Sequence, residues 1–318
     1  MIFGGSGFIG THLSNFLEKN EIEFVILDII KPRNPKWNFV FTDIRKQIAY
    51  KPKSDKKNII INLAAIHKTP GHQDEEYFET NLKGAENICD FAETNKISDI
   101  LFTSSISVYG TYERKKSELT LPTPDIAYGI SKLLAEHIHH KWKISEPKQK
   151  RRLIILRPGV VFGQYENGNF TRFVNSLQAK YFAYVGRKDV KKACIYVKDL
   201  VQAIYELSND YKLEYDIFNV SYNPSRSISE LVSIISDLGE MKFPRLVIPR
   251  FFILFCSNIL FTIFNKKDFN PSRMNKLVVS NNIDSTKINQ IIKFKFGFSR
   301  AISDWMLETE FKQKKKIY

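Results

Sequence analysis

Cysteine is scarce in this chain of 318 residues: there are three, Cys89, Cys194 and Cys256, far apart and odd in number. No Cys-x-x-Cys and no Cys/His pairing at metal-ligand spacing occurs, so neither a zinc module nor a disulfide framework is expected, and no metal site. Reduced thiols in a cytosol fit that pattern. Acidic residues are outnumbered, 34 against 48 Lys and Arg, for a formal net charge of +14. Such a surface favours anions, yet the basic clusters at 51–57, 148–152 and 312–316 carry no nucleic-acid motif and no aromatic platform. Nucleic acid is therefore not an expected partner. No internal repeat and no long low-complexity segment occurs. The most apolar stretch, 246–264, is broken by Pro249, Arg250, Ser257 and Asn258, and its run after Arg250 falls short of the ~20 residues a membrane span needs. What is there is an ordinary globular composition, 43% hydrophobic, with length for one large or two fused domains.

The chain opens on a short apolar segment, residues 1–3, and a glycine-rich loop, Gly4-Gly5-Ser6-Gly7-Phe8-Ile9-Gly10. These residues read as strand and loop rather than as a leader peptide. Central strands usually run to ~5 residues, so either the sheet takes a stub or the natural start lies upstream. Apolar runs at 23–28, 39–41, 58–63, 99–103 and 153–156 predict buried strands, and 8–19, 74–93 and 127–144 predict helices. This alternation predicts an α/β fold, a doubly wound parallel sheet of the Rossmann-like kind. After Pro158 the pattern loosens into short strands (193–197, 217–220) and helices (199–207, 227–238). We expect residues 1–158 to form a dinucleotide-binding domain and 159–318 mainly a smaller C-terminal α/β substrate-binding cap, with some segments returning to the first domain.

A loop placed between strand and helix lets the backbone approach a pyrophosphate, and the helix N-terminus supplies N–H donors. Gly4, Gly7, Phe8, Ile9 and Gly10 are the expected contacts. Asp28 ends the second strand, where a carboxylate holds ribose hydroxyls and repels a 2′-phosphate. NAD is thereby favoured over NADP, with Arg33 as the counter-signal. Downstream, Tyr128 and Lys132 form a Tyr-x-x-x-Lys pair one helical turn apart, after the cluster Thr103-Ser104-Ser105. A phenol with pKa of about 10 needs a neighbouring cation to act as a base near neutrality, and Lys132 can be that cation. Alone, Tyr-x-x-x-Lys is more often an amphipathic helix face. With the serines and the glycine loop it predicts hydride chemistry at a hydroxyl.

These residues resemble the extended short-chain dehydrogenase/reductases, and among them the NAD-dependent sugar epimerases and dehydratases. Matching pieces run along nearly the whole chain: GGSGFIG at 4–10, Leu27-Asp28, TDIR at 42–45, NLAA at 62–65, NLKGAENI at 81–88, TSSISVYG at 103–110, YGISK at 128–132, LRPGVVFG at 156–163 and YVKDL at 196–200. The resemblance implies that Ser105, Tyr128 and Lys132 are catalytic. It implies that Asp43 and Ile44 border the adenine, and that Leu63, Ala64 and Ala65 line the path of pyrophosphate and ribose. Asn81, Tyr128, Lys132 and Arg157 complete the implied cofactor set. Ser105, Ser107, His67, Asn167 and Asn169 are the implied substrate contacts, though an ordinary Asn-Gly loop explains 167–169 equally well. Lys191 and Lys192 could pair a diphosphate or be solvated.

The family's 4,6-dehydratases carry an acidic residue just after the catalytic hydroxyl residue. Here Ile106 and Ser107 stand there, so dehydration is disfavoured and epimerisation through transient oxidation at carbon 4 is expected, with NAD retained as a prosthetic group. A narrower set is similar to enzymes that epimerise N-acetylglucosamine on a polyprenyl diphosphate: Ala64-Ala65-Ile66-His67-Lys68, LRPGVVFGQYENGN at 156–169, the apolar segment 248–267 and Asp284-Ser285-Thr286-Lys287. A soluble UDP-sugar 4-epimerase is the neighbouring reading. An NAD(P)H-dependent 4-keto-sugar reductase and a catalytically silent dinucleotide-binding module are the alternatives. A homodimer packing near 74–93 and 127–144 is expected, in the cytoplasm. The segment 246–264 is expected as a buried cap helix or dimer face. Its alternative is a helix resting on the anionic inner face of a membrane, flanked by Arg245, Arg250, Lys266 and Lys267.

Overall fold

The computed structural model describes residues 1–53, 57–67, 71–146, 148–252, 255 and 278–309. These divide into two compact units. The first comprises Met1–Gly110, Glu118–Pro158 and Val197–Val220; the second comprises Thr111–Ser117, Gly159–Tyr196 and the described residues of Ser221–Tyr318. The chain thus leaves the first unit briefly at Thr111–Ser117, leaves it again at Gly159, returns for one helix and one strand, and leaves once more.

The first unit is a seven-stranded parallel sheet with helices between its strands. In chain order these are β1 (Ile2–Phe3), α1 (Phe8–Lys19), β2 (Ile26–Asp28), β3 (Phe39–Phe41), β4 (Ile59–Asn62), α2 (Asp74–Thr94), β5 (Asp99–Thr103), a 3₁₀ turn (Ile106–Tyr109), α3 (Ala127–Ser145) and β6 (Arg152–Pro158). The sheet order is β11-β6-β5-β4-β1-β2-β3, where β11 (Tyr215–Val220) follows α5 (Val197–Asn209). The order reverses beside β1, and in sheets of this kind ligands bind at that switch point, outside the carboxyl ends of the strands. β1 pairs on both sides through Ile2 and Phe3 alone, against Ile26 and Leu27 of β2 and Ile61 and Asn62 of β4. Both residues are fully buried, which makes two residues enough to hold the register. β2 is shorter than its apolar run: Glu23–Val25 lie before the ladder. The core of this unit gathers Phe3, Leu27, Ile60, Ile88, Phe91, Ile100, Phe102, Trp142, Leu153 and Ile155. At the start of β6, Arg151 donates to the carbonyl of Trp142 at 2.6 Å and Arg152 to those of Leu207 and Ser208, satisfying the last carbonyls of α3 and α5.

The second unit holds three small two-stranded sheets: β7 (Val160–Phe162) with β10 (Cys194–Tyr196), β9 (Lys191–Lys192) with β12 (Arg226–Ser227), and β8 (Tyr184–Val185) with β13 (Val247–Ile248). Among its described helices are α4 (Asn169–Gln178), α6 (Ile228–Leu238), α7 (Thr286–Ile291) and α8 (Gly297–Glu308). Phe162 is the hub of its core: the Phe170 ring stacks on it at 4.5 Å, with Tyr196, Phe298 and Trp305 around it. Val197, expected to end a strand, instead starts α5, with Asp199 in the first turn where a carboxylate suits the helix dipole.

The apolar segment 246–264 departs from its expectation where it is described. Val247 and Ile248 form a strand against Tyr184 and Val185, and helix begins only at residue 250. Its large side chains are not buried: Phe251 is 74% exposed, Phe255 63% and Phe252 53%. Residues 253–254 and 256–264, with Lys266 and Lys267, lie outside the described residues, as does Lys68. Among the described residues no helix is long and apolar enough to cross a membrane.

Candidate active site

The glycine loop turns sharply out of β1. Gly4 has φ +74°, and a Cβ on it would lie 2.6 Å from the Ala64 nitrogen, so only glycine fits between the loops after β1 and β4. A Cβ on Gly10 would stand 2.5 Å from the Gly5 backbone, so this glycine lets α1 close onto the loop. α1 starts at Phe8 with Gly7 as its N-cap and no side-chain cap. The first-turn N–H groups of Phe8, Ile9 and Gly10 are therefore left for an anion, which is the donor set a dinucleotide pyrophosphate needs. Asp28, at the end of β2, braces the loop by accepting from the Ser6 N–H at 3.0 Å and the Ile30 N–H at 3.1 Å. Arg33 is exposed.

Beyond β3, Asp43 is gripped by Arg45 through two guanidinium bonds of 2.9 and 2.7 Å, and that hydrogen bonding lowers its pKa. Ile44 is buried, and its carbonyl accepts from Asn87 at 2.7 Å. Leu63, Ala64 and Ala65 follow β4 and are half-buried. Asn81, buried on α2, accepts from the Ile66 N–H at 3.0 Å and donates to the Ser131 hydroxyl at 2.9 Å. It clamps the loop after β4 to the start of α3 through groups of the chain itself. His67 is exposed on that loop.

Ser105 leaves β5 as the N-cap of the 3₁₀ turn. Its hydroxyl accepts from the Ser107 N–H at 3.1 Å and donates to the Ser107 hydroxyl at 3.1 Å. Tyr128 and Lys132 lie on α3. Tyr128 is half-buried, and burial raises its pKa; a hydrogen bond with Ser105 works in the opposite direction. The Ser/Tyr pair expected from sequence is therefore brought together. Lys132 is 2% exposed, and its ammonium lies 4.3 Å from the centre of the Phe102 ring. Burial lowers its pKa to about 7, against an opposing pull from Glu136.

Two polar groups of α3, Glu136 and His139, escaped the sequence reading. His139 stacks on Phe102 at 4.3 Å, donates from Nδ1 to the Ala135 carbonyl at 2.7 Å, and meets the Asn62 amide through Nε2 at 3.3 Å. A carbonyl only accepts, so Nδ1 carries the proton and Nε2 accepts from Asn62. Burial holds this imidazole neutral, its pKa lowered to about 4. Asn62 in turn accepts from the Ala64 N–H at 3.2 Å. Arg157, expected at the cofactor, is buried and points its donors inward. Nε and Nη2 reach the Glu136 carboxylate at 2.9 and 2.5 Å, and Nη1 reaches the Tyr109 hydroxyl at 2.9 Å. The available signal was the helical spacing of Tyr128, Lys132, Glu136 and His139, which sets four polar groups on one face of α3.

In the second unit Asn167 and Asn169 are exposed, and Asn169 accepts from Arg172 at 2.9 Å. The Glu166 carboxylate accepts from the Thr171 N–H at 2.8 Å and so caps α4 with the chain's own anion. Lys192 is half-buried and donates to the Val279 carbonyl at 3.0 Å. Burial lowers its pKa to about 8; Glu113 opposes this, and the charges of Lys116 and Arg187 add to it.

The model of the NAD dependent epimerase/dehydratase family matches residues 1–221. The chain is 29% identical over 296 residues to the N-acetyl-alpha-D-glucosaminyl-diphospho-ditrans,octacis-undecaprenol 4-epimerase of Escherichia coli O157:H7, covering 91% of this chain and 88% of that one. In fold it is similar to MoeE5 in complex with UDP-glucose and NAD (TM-score 0.75, 17% identity, 99% and 98% of the two chains). It is similar also to the UDP-N-acetylglucosamine 4-epimerase from Bacillus cereus (TM-score 0.73, 21% identity, 96% and 97%).

Proposed function

The chain belongs to the NAD dependent epimerase/dehydratase family, and from that premise we propose that it inverts carbon 4 of an N-acetylhexosamine carried on a polyprenyl diphosphate. The observation that carries this reading is the Ser105, Tyr128 and Lys132 set, brought together after β5 and at the start of α3, with the neutral Ile106 and Ser107 where a dehydratase would need a carboxylate. The relative from Escherichia coli supports the carrier.

The glycine loop, Asp28 and the loop after β4 fit NAD, through the uncapped N–H groups of α1 and a carboxylate at the end of β2. Bound there, NAD would supply the hydride acceptor and donor for carbon 4, and its positive ring would favour the Tyr128 phenolate. Tyr128 removes the proton from the sugar hydroxyl and later gives it back. Lys132 stabilises the phenolate as an ammonium. Ser105 orients the sugar oxygen toward Tyr128 while Ser107 positions Ser105.

In the second unit, the charges of Lys116 and Arg187 act on Lys192, with Arg187 paired to Glu113 and Asp189; the surplus of cations is a setting suited to a diphosphate. Phe243, Leu246, Phe251, Phe252 and Phe255 are exposed within one short stretch that also holds Lys242, Arg245 and Arg250. That mixture supports peripheral contact with an anionic membrane from the cytoplasmic side, where a polyprenyl carrier resides. Ile130 and Leu134 on α3 are exposed and offer a second copy of the chain an apolar face.

Interconversion without added cofactor tests the reading. An epimerase converts its sugar with no net change in nicotinamide absorbance. A requirement for NADH and a keto sugar would transfer the protein to the reductases.

A further inference from the structure

Four buried side chains of the first unit form one unbroken hydrogen-bonded path between the two elements that carry the catalytic hydroxyls. Glu136 stands on α3, one turn beyond Lys132 and two beyond Tyr128. Its carboxylate takes both Nε and Nη2 of Arg157, which stands near the end of β6. The third donor of Arg157 goes to the Tyr109 hydroxyl at 2.9 Å, and that hydroxyl donates to the Asn219 amide oxygen at 2.8 Å on β11. Tyr109 closes the short turn whose N-cap is Ser105. All four are buried, and Tyr109 and Asn219 are sealed completely. The guanidinium also lies 5.0 Å from the Tyr109 ring centre, so the contact is held by face and edge alike.

Burying a charge pair brings a desolvation cost that hydrophobic replacements avoid. A planar, bidentate pair with a third fixed donor gives geometry in return. Here one end of that geometry is the helix of Tyr128 and Lys132, and the other is the turn of Ser105. We propose that Arg157, Glu136 and Tyr109 are positioning residues: a rigid brace that sets the separation of the Ser105 and Tyr128 hydroxyls, between which the sugar hydroxyl reacts. The brace rests on the proposed function for its catalytic meaning. It assigns Arg157 to the catalytic trio rather than to the cofactor. Glu136 is also the anion that acts on the Lys132 ammonium, so its pairing with Arg157 sets how much negative charge Lys132 meets.

The test uses the full chain purified with its NAD. Tyr109→Phe removes a single hydroxyl from the brace. Glu136→Met with Arg157→Met removes the ion pair without leaving an unpaired charge, so the fold should survive. Misplacement near 1 Å costs about 100-fold in rate. We expect the double variant to lose about that factor in kcat and Tyr109→Phe about 10-fold, with KM within about threefold and NAD content unchanged. Arg157→Lys keeps the charge but not the fork, and should recover only part of the loss. Hydrogen exchange gives a readout that needs no substrate. Amides of residues 105–110 should exchange faster in both variants, while those of β4 and β5 keep wild-type protection. Folded, NAD-loaded variants with wild-type kcat would overturn the brace. If the wild type converts no sugar, the proposed function fails, and unchanged exchange at 105–110 would then overturn the brace on its own.

Discussion

The two units handle polar groups in opposite ways. In the first, Asn62, Lys132, Glu136, His139, Arg157 and Asn219 are buried; Asn62 pairs with His139, Glu136 with Arg157 and Asn219 with Tyr109, while Lys132 lies over the Phe102 ring. In the second, cations gather at Lys116, Arg187 and Lys192 with Glu113 as counter-charge, and aromatic side chains at 251, 252 and 255 face outward. The first arrangement is what proton transfer requires, since a low-dielectric, fixed surround makes a few charges decisive. The second would suit the bulky, charged, amphiphilic carrier proposed above, and on that proposal reaction and carrier recognition are separable by substitution.

The largest effect should come from the first unit. Tyr128→Phe removes the group that moves the proton and should lower kcat by about 10³-fold or more with NAD still bound; steady-state rates and cofactor content measured together check it. Retained turnover would remove Tyr128 from its role. In the second unit, Lys192→Met should raise KM about tenfold and leave kcat within about threefold, because binding rather than chemistry is weakened. A fall in kcat alone would place Lys192 with the chemistry. Smaller still, Phe251→Ser with Phe252→Ser should weaken sedimentation with anionic vesicles about tenfold while leaving turnover of a short-chain soluble substrate unchanged. A wild-type protein indifferent to such vesicles would dissolve the membrane half of the comparison.

Acid should break the first unit through His139. Its folded pKa, about 4, lies below the ordinary 6.5. The unfolded chain therefore binds a proton that the native chain refuses, and stability falls as pH drops from about 6.5 to about 4. The loss attributable to this group is at most about 3 kcal/mol. Thermal unfolding across that range should show it, and His139→Gln should flatten it. An unchanged slope in the variant would assign the acid limb to other groups.

Much of the first unit was legible in sequence, because buried parallel strands write themselves as unbroken apolar runs and the glycine loop lies directly between strand and helix. Asp99–Thr103 begins and ends where the run does. Ser105, Tyr128 and Lys132 were legible for a related reason: helical spacing brings residues one turn apart onto one side. Arg157 shows the limit. Its place in LRPGVVFG says where it lies along the chain, but which of its sides meets Glu136 follows from the packing of β6 against α3. Likewise Val247 and Ile248 look the same in an apolar helix as in an edge strand, and only their partners Tyr184 and Val185 decide between the two.

The most direct test of the central claim is the fate of deuterium at carbon 4 of N-acetylglucosamine on a polyprenyl diphosphate, incubated with the protein and no added cofactor. Transient oxidation within a closed site predicts a product of inverted configuration that keeps its deuterium at carbon 4. A sugar left unconverted, or an inverted product that has exchanged its deuterium for solvent hydrogen, would contradict the account.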